Sequence, residues 1–375
     1  MKRVLIIQAE MKHYRTSFFA QLWSTLHKHD ISVIVAYSNS DVAHASRNDR
    51  SELTPPLGSR VPGKWLLGRC IYQPLWRQVF AADLIIIPSE AKYILTPILL
   101  LLSALRIKKV AFWGLGPNRL PDRRPISEWI KQHVFTCVDW WFAYTESTAD
   151  YLRKKGMSSA RITTVQNATD SAGLKRSIAD IPDEDVRAAK LQLTGRADPQ
   201  IGLYCGLIGQ IKAIPMLLDA ARLVKARCPR FHLVIIGNGP ERSWLERAVA
   251  DEPWIHYLGS LFGRESALHY KMADVFLLAG TAGLAVVDSF AAGLPVLATA
   301  LPSHPPEISY VQDGVNGRLA THEVSSFSSS IIEVLSNPLL MKTLKEGAQR
   351  SGHIYTIEAM VDNFQLGVRR CLAQV

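Results

Sequence analysis

The stretch Ala273–Gly317, ADVFLLAGTAGLAVVDSFAAGLPVLATALPSHPPEISYVQDGVNG, decides the fold. Ala273 to Leu278 is a short apolar run that suits a buried parallel strand. Gly280 and Gly283 then punctuate a loop where backbone can come close to a ligand. From Leu284 to Ala292 apolar residues recur at helical spacing, with Asp288 on that segment and Gly293 closing it. Leu294 to Thr299 is a second buried strand, and His304 to Tyr310 opens a further loop and helix start. Strand, glycine loop, helix, strand is a βαβ unit, which takes ligands at the carboxyl ends of its strands. The helix after the glycine loop offers N–H groups and a positive dipole end to an anion. Asp288 can accept two hydrogen bonds from a vicinal diol such as ribose.

The same grammar extends upstream. Ile201 to Tyr204 is a strand, followed by Gly206-Leu207-Ile208-Gly209-Gln210-Ile211-Lys212 and a helix to about Val224 with Pro215 in its first turn. Leu233 to Ile236 is a strand that leads through Gly237-Asn238-Gly239-Pro240 into a helix over Glu241 to Ala250. Ile255 to Leu258 is the next strand. In the first half, Arg3 to Gln8, Ile31 to Ala36, Leu84 to Ile87, Val110 to Trp113 and Trp140 to Thr145 read as strands. Tyr14 to His29 is an amphipathic helix. Ile94 to Leu105 is strongly apolar but too short to span a bilayer, so it reads as a buried helix between strands. Helices at Val324 to Leu335, Leu339 to Gln349 and Ile357 to Cys371 close the chain.

At 375 residues, two domains are the better expectation than one core. Five scattered cysteines without a C-x-x-C pair argue for reduced thiols in a cytoplasm-like compartment. The apolar run Val4 to Ile7 is too short for a signal segment. Charge divides unevenly: residues 1–180 hold 25 Lys+Arg against 14 Asp+Glu, and residues 181–375 hold 18 against 19. A basic first half suits an anionic membrane surface or a phosphate-bearing lipid. No nucleic-acid motif accompanies the charge, so nucleic acid is not the expected partner. Arg47, Arg50, Arg60 and Lys64 lead into Trp65, Leu66, Leu67, Tyr72 and Trp76. That mixture fits either an interfacial membrane segment or a helix burying those residues, and both readings stay open.

The series from Lys212 through Asp288 to Gly317 resembles the nucleotide-sugar site of retaining GT-B glycosyltransferases, glycosyltransferase family 4 in particular. In that family a Glu, seven residues and a second Glu precede a helix and Gly-x-Pro-Val. Anchoring on Gly293, Pro295 and Val296 puts the second acid at Asp288 and the first at Gly280, where it is missing. Glu307, Ile308 and Asp313-Gly314-Val315-Asn316-Gly317 match the family's later Glu and its Asp-Gly-x-x-Gly. The family's Gly-Arg-Leu, three residues, Lys-Gly, which holds the donor diphosphate, is matched at Gly206 and Lys212. Leu207 stands at the Arg and Ala213 at the final Gly.

The resemblance implies a GT-B α/β architecture: two doubly wound, Rossmann-like domains facing across a cleft. Residues 1–170 would form the acceptor domain, with helix 355–375 packing back on it. Residues 171–200 would be a linker with a lead-in helix, and 201–354 the donor domain. The implied reaction moves a sugar from a nucleotide-diphosphate donor to an acceptor hydroxyl on a glycan or lipid-linked acceptor, with retention. Bacterial surface polysaccharide, lipopolysaccharide or exopolysaccharide synthesis is the expected setting, in the cytoplasm at the inner face of the membrane. Lys212 and Asp288 are the expected catalytic residues. Gly206, Lys212, Gly237, Gly239, Leu258, Gly280, Gly283, Leu284, Asp288 and Glu307 would line the donor site. His13, Trp113, Asn118 and Arg119 lie on the acceptor side, although a solvated loop histidine is the plainer reading of His13. Leu115 stands where related sequences often carry His. No cofactor and no metal are expected, because the Asp-x-Asp at Asp183-Glu184-Asp185 follows Pro182 and reads as a helix first turn. The alternatives are a GT-B-like binding or scaffold protein without catalysis, motivated by Leu115, Leu207 and Gly280, and a nucleotide-sugar epimerase.

Overall fold

A computed structural model describes residues 1–38, 51–66, 68–116 and 135–374. The chain divides into two compact units, Met1–Asp170 with Ile357–Val375, and Ser171–Thr356. Each is a parallel sheet whose near-continuous apolar strands are covered on both faces, as that composition requires.

The first unit's sheet has the order β3-β2-β1-β6-β7-β8-β9 among the described residues, all parallel. Its central strands are β1 (Lys2–Gln8), β6 (Leu84–Pro88), β7 (Lys109–Gly114) and β8 (Trp140–Ala143). β2 (Ile31–Tyr37) and β3 (Gly58–Arg60) lie to one side, β9 (Ile162–Thr164) to the other. Helix α1 (Thr16–His27) and the C-terminal helix Ile357–Ala373 share one face, where Phe18 meets Phe364 edge-on. Phe364 also stacks on Phe142 at 4.2 Å. Gly367 permits this approach, since a Cβ there would sit 2.6 Å from the Phe142 ring. The other face is closed by α2 (Trp76–Ala81), α3 (Thr96–Ala104) and α4 (Glu146–Lys154) through Val79, Leu99, Ala149 and Leu152.

Two expectations for this unit are corrected. The Trp65 segment, expected as an interfacial membrane segment or a helix burying its apolar residues, buries Trp65 and Tyr72 without forming a helix. It folds into a hairpin, β4 (Lys64–Leu66) with β5 (Cys70–Tyr72), and Trp65, Tyr72 and Trp76 turn inward onto the core. Helix α3, expected to be buried, hides only Leu99 and Ser103 fully, while Ile98, Leu101 and Leu105 face solvent.

The second unit's sheet has the order β12-β11-β10-β13-β14-β15, again all parallel. Here β10 is Gln200–Cys205, β11 Phe231–Ile236, β12 Ile255–Tyr257, β13 Val275–Leu278, β14 Val296–Ala300 and β15 Gly317–Thr321. Residues 171–200, expected as a linker with one lead-in helix, carry two helices, Ala172–Ala179 and Asp183–Thr194, and belong to this unit. Among the described residues no disulfide forms, and no helix is long and apolar enough to cross a membrane.

Candidate functional site

In the second unit the strand order reverses between β10 and β13, so the chain leaves these neighbours in opposite directions. Ligands bind doubly wound sheets at the carboxyl end of such a switch point. The two loops flanking it are 206–213 and 279–284, the segments singled out by the sequence.

Glycines let the loops at this edge interlock. A Cβ on Gly237, which has φ +142, would fall 1.8 Å from the Gly206 carbonyl oxygen, and one on Gly239 would fall 2.1 Å from that of Ile208. The Gly237 amide donates to Gly259 O at 2.7 Å, and the Tyr257 hydroxyl donates to Gly237 O at 3.0 Å. Leu258 and Leu284 are half-buried beside these turns. Gly280 is pinned too, since a Cβ there would lie 2.2 Å from the carbonyl carbon of Lys212. A side chain at 280 would therefore meet the 206–213 loop as it stands here.

Lys212 ends a 3-10 turn, Gln210–Lys212, and its ammonium donates to the Thr281 carbonyl at 2.6 Å. The Thr281 amide and hydroxyl both donate back to Ile211 O, at 2.9 and 3.0 Å. The ammonium thus stands at the switch point, 4.0 Å from where a Gly283 Cβ would be. Ala213 holds φ +48 and ψ +45, the left-handed conformation, at the start of helix α7 (Ile214–Arg227). That explains why the resembled motif prefers Gly there.

Asp288 lies in the first turn of the helix Ala285–Ala291 and is half-buried. Its carboxylate charge reaches Cys205 and Tyr270. Burial pushes the Cys205 thiol up to about 11, a bond from Tyr270 opposes this, and Asp288 adds to the rise. Burial likewise drives the Tyr270 phenol well above its usual range, with the charges of Cys205 and Asp288 adding to it. Glu307, expected to line the donor site, is 3% exposed in the turn Pro306–Tyr310.

One residue given no role from sequence is His304, buried at 3% exposure. Its Nδ1 accepts from the Ala282 amide at 2.9 Å, and its Nε2 donates to Thr299 O at 2.6 Å. These partners assign the neutral Nε2–H tautomer. The ring fastens the 279–283 loop to β14, as Lys212 fastens it to β10. A histidine three residues ahead of Glu307 was the only available signal. Downstream, Asp313–Gly317 is a structural turn: Asp313 Oδ1 accepts from Leu319 N at 2.9 Å, and Asn316 donates to Tyr310 O and Ser351 Oγ, each at 2.8 Å.

In the first unit the order reverses between β1 and β6. The Ala9 amide donates to the Tyr93 hydroxyl at 2.9 Å across that switch point, and Lys12 pairs with Glu10 at 2.9 Å. His13 is exposed, as a solvated loop residue would be. Trp113 is 3% exposed, packed against Phe18, Phe19, Tyr144 and Phe364, so it is a core residue and offers no face to an acceptor. Arg15, unforeseen from sequence, lies buried over that ring and donates to Asn167 Oδ1 at 2.7 Å. Leu115 is exposed, and Asn118 and Arg119 lie outside the described residues. Asp183 and Asp185 pair with Lys271 at 3.0 Å and Arg264 at 2.9 Å, on the helix Gly263–Met272.

Residues 199–337 match the family model described as glycosyl transferases group 1. The alpha-monoglucosyldiacylglycerol synthase of Acholeplasma laidlawii is 29% identical over 181 residues, covering 47% of this chain and 44% of that protein. The sulfoquinovosyl transferase SQD2 of Arabidopsis thaliana is 30% identical over 128 residues, 33% of this chain and 24% of that one. The chain thus spans less than half the length of these curated relatives. Anabaena HepE in complex with UDP superposes with a TM-score of 0.70 at 16% identity, over 98% of this chain and all of that one. The two Rossmann-like halves are those of the GT-B fold.

Proposed function

We propose that the chain is a glycosyltransferase that moves a sugar from a nucleoside-diphosphate donor to an acceptor hydroxyl, with retention of anomeric configuration. The observation that carries this reading is Lys212, whose ammonium is fixed by the Thr281 carbonyl at the switch point of the second sheet, beside Gly283. The match of residues 199–337 to a glycosyl transferase model supports it.

Chemically, transfer requires stabilising a departing diphosphate and an oxocarbenium-like sugar. Lys212 supplies a point charge to the diphosphate, and Asp288 accepts from the ribose hydroxyls. No side chain in the loops presents itself as a nucleophile, so the donor's own phosphate takes the acceptor proton. The reaction proceeds without a metal, because the Asp-x-Asp at 183–185 is engaged by Lys271 and Arg264 on a helix surface. The acceptor is a glycan or lipid-linked sugar in surface polysaccharide or glycolipid synthesis. A relative named as a synthase of monoglucosyldiacylglycerol favours the lipid. The basic first half holds the protein peripherally at the inner face of the membrane.

The test is turnover with a panel of UDP- and GDP-sugars and a lipid acceptor, with the product's anomeric configuration read by NMR. Nucleotide binding without turnover on any donor would favour a binding protein, the reading to which Leu207 and Gly280 point. Free sugar released without acceptor would favour an epimerase.

A further inference from the structure

We infer that the solvent face of helix α3, with Phe80 and Ile107 beside it, is the surface that seats the first unit on an anionic lipid bilayer. Ile98, Leu101 and Leu105 are 41%, 58% and 59% exposed. They recur at three- and four-residue spacing, which places them along one side of the helix. Ile107 and Phe80 are 54% and 58% exposed, and the Lys108 ammonium joins their segments by donating to Phe80 O at 2.6 Å and Ala82 O at 2.7 Å. Five large exposed apolar side chains on these neighbouring segments mark a place that is covered in use.

Charge selects the occupant. Between Arg60 and Lys109 the chain carries eight Lys or Arg and two Asp or Glu. Arg77 and Arg106, next to the patch, are exposed. Of the two acids, Asp83 is already held by Lys2 at 3.3 Å and by the Arg3 amide at 2.8 Å. An apolar face with a basic rim is complementary to acyl chains beneath anionic headgroups. A second copy would oppose the same basic rim to itself. The nine residues of Thr96–Ala104 are too few to span, so the helix lies in the interface. This deepens the peripheral attachment proposed above by adding a contact that salt does not screen.

The experiment compares the full chain with Leu101→Gln/Leu105→Gln and with Arg77→Glu/Arg106→Glu in co-sedimentation with phosphatidylglycerol–phosphatidylcholine vesicles. Thermal melts confirm each fold. The leucine variant is expected to bind about tenfold or more weakly, consistent with two lost apolar insertions. A Leu101→Trp reporter is expected to shift its emission to the blue on the same vesicles. Undiminished binding by the leucine variant, with loss in the arginine variant, would leave electrostatic attachment standing and overturn the apolar seat. A wild-type dimer dissolved by the leucine substitutions, without vesicle binding, would assign the face to a second copy and overturn it too. Turnover on a soluble acceptor is read alongside, so failure of the transferase reading is seen separately.

Discussion

At the scale of single residues, the site turns on a few atoms of backbone. Lys212→Ala is expected to lower kcat/KM by about 100- to 1,000-fold, the usual loss when an electrostatic stabiliser of charge in the transition state is removed. Steady-state kinetics on a folded variant checks this. Asp288→Ala removes one charge-assisted contact, worth about 1.5–3 kcal/mol, and calorimetry with UDP and GDP should show the weaker binding. Ala213→Gly relieves a left-handed alanine, which costs roughly 1–2 kcal/mol, against about 0.4–1 kcal/mol of added unfolded-state entropy. A net gain in melting temperature follows. Gly280→Glu, which restores the missing acid of the resembled motif, is expected to destabilise instead, because its Cβ would enter the Lys212 backbone at 2.2 Å. A melting temperature equal to wild type would show that the two loops separate more freely than their packing implies.

At the scale of elements, strands β11 and β12 carry a histidine pair. His232 Nδ1 and His256 Nε2 are 3.0 Å apart, with the rings stacked at 5.3 Å. Burial, then Lys225 and His256, press the His232 pKa down to about 4; burial leads the lowering of His256, followed by Lys225. A folded-state pKa below the unfolded value means the folded chain binds fewer protons. Stability is therefore complete above about pH 6.5, the ordinary histidine value, and is lost as pH falls toward 4. Denaturant titrations between those limits should show the slope, and His232→Leu should flatten it. The two strands were legible as apolar runs. The pairing was not, because only the register, which sets His256 opposite Val234, brings His232 diagonally against it.

At the scale of the whole molecule, the reading of Lys212 as the diphosphate's counter-charge requires turnover that survives excess chelator. Activity abolished by chelator and restored by magnesium or manganese would remove both the metal-free route and that role. The basic first half predicts binding to anionic vesicles that weakens as ionic strength rises, since exposed charges are screened beyond about 8–10 Å.

Periodicity and punctuation were local signals, and the sequence carried them without help. Apolar runs such as Leu84–Ile87 and Val275–Leu278 announced parallel strands, and Gly280, Gly283 and Gly293 announced the turns that bound them. The two α/β halves followed, as did the placing of Lys212 in the loop after β10 and of Asp288 on the helix after β13. Tertiary structure alone decided which side chains those strand ends could use. Trp113 sits at a strand end yet is sealed by Phe18 and Phe364, because burial depends on what packs above a residue rather than on its place in a strand. His304 became a brace only because β14 carries it back to Ala282. Helix α3 looked like core by composition. Its exposed leucines are a property of how few neighbours the fold sets against it, and composition does not encode that.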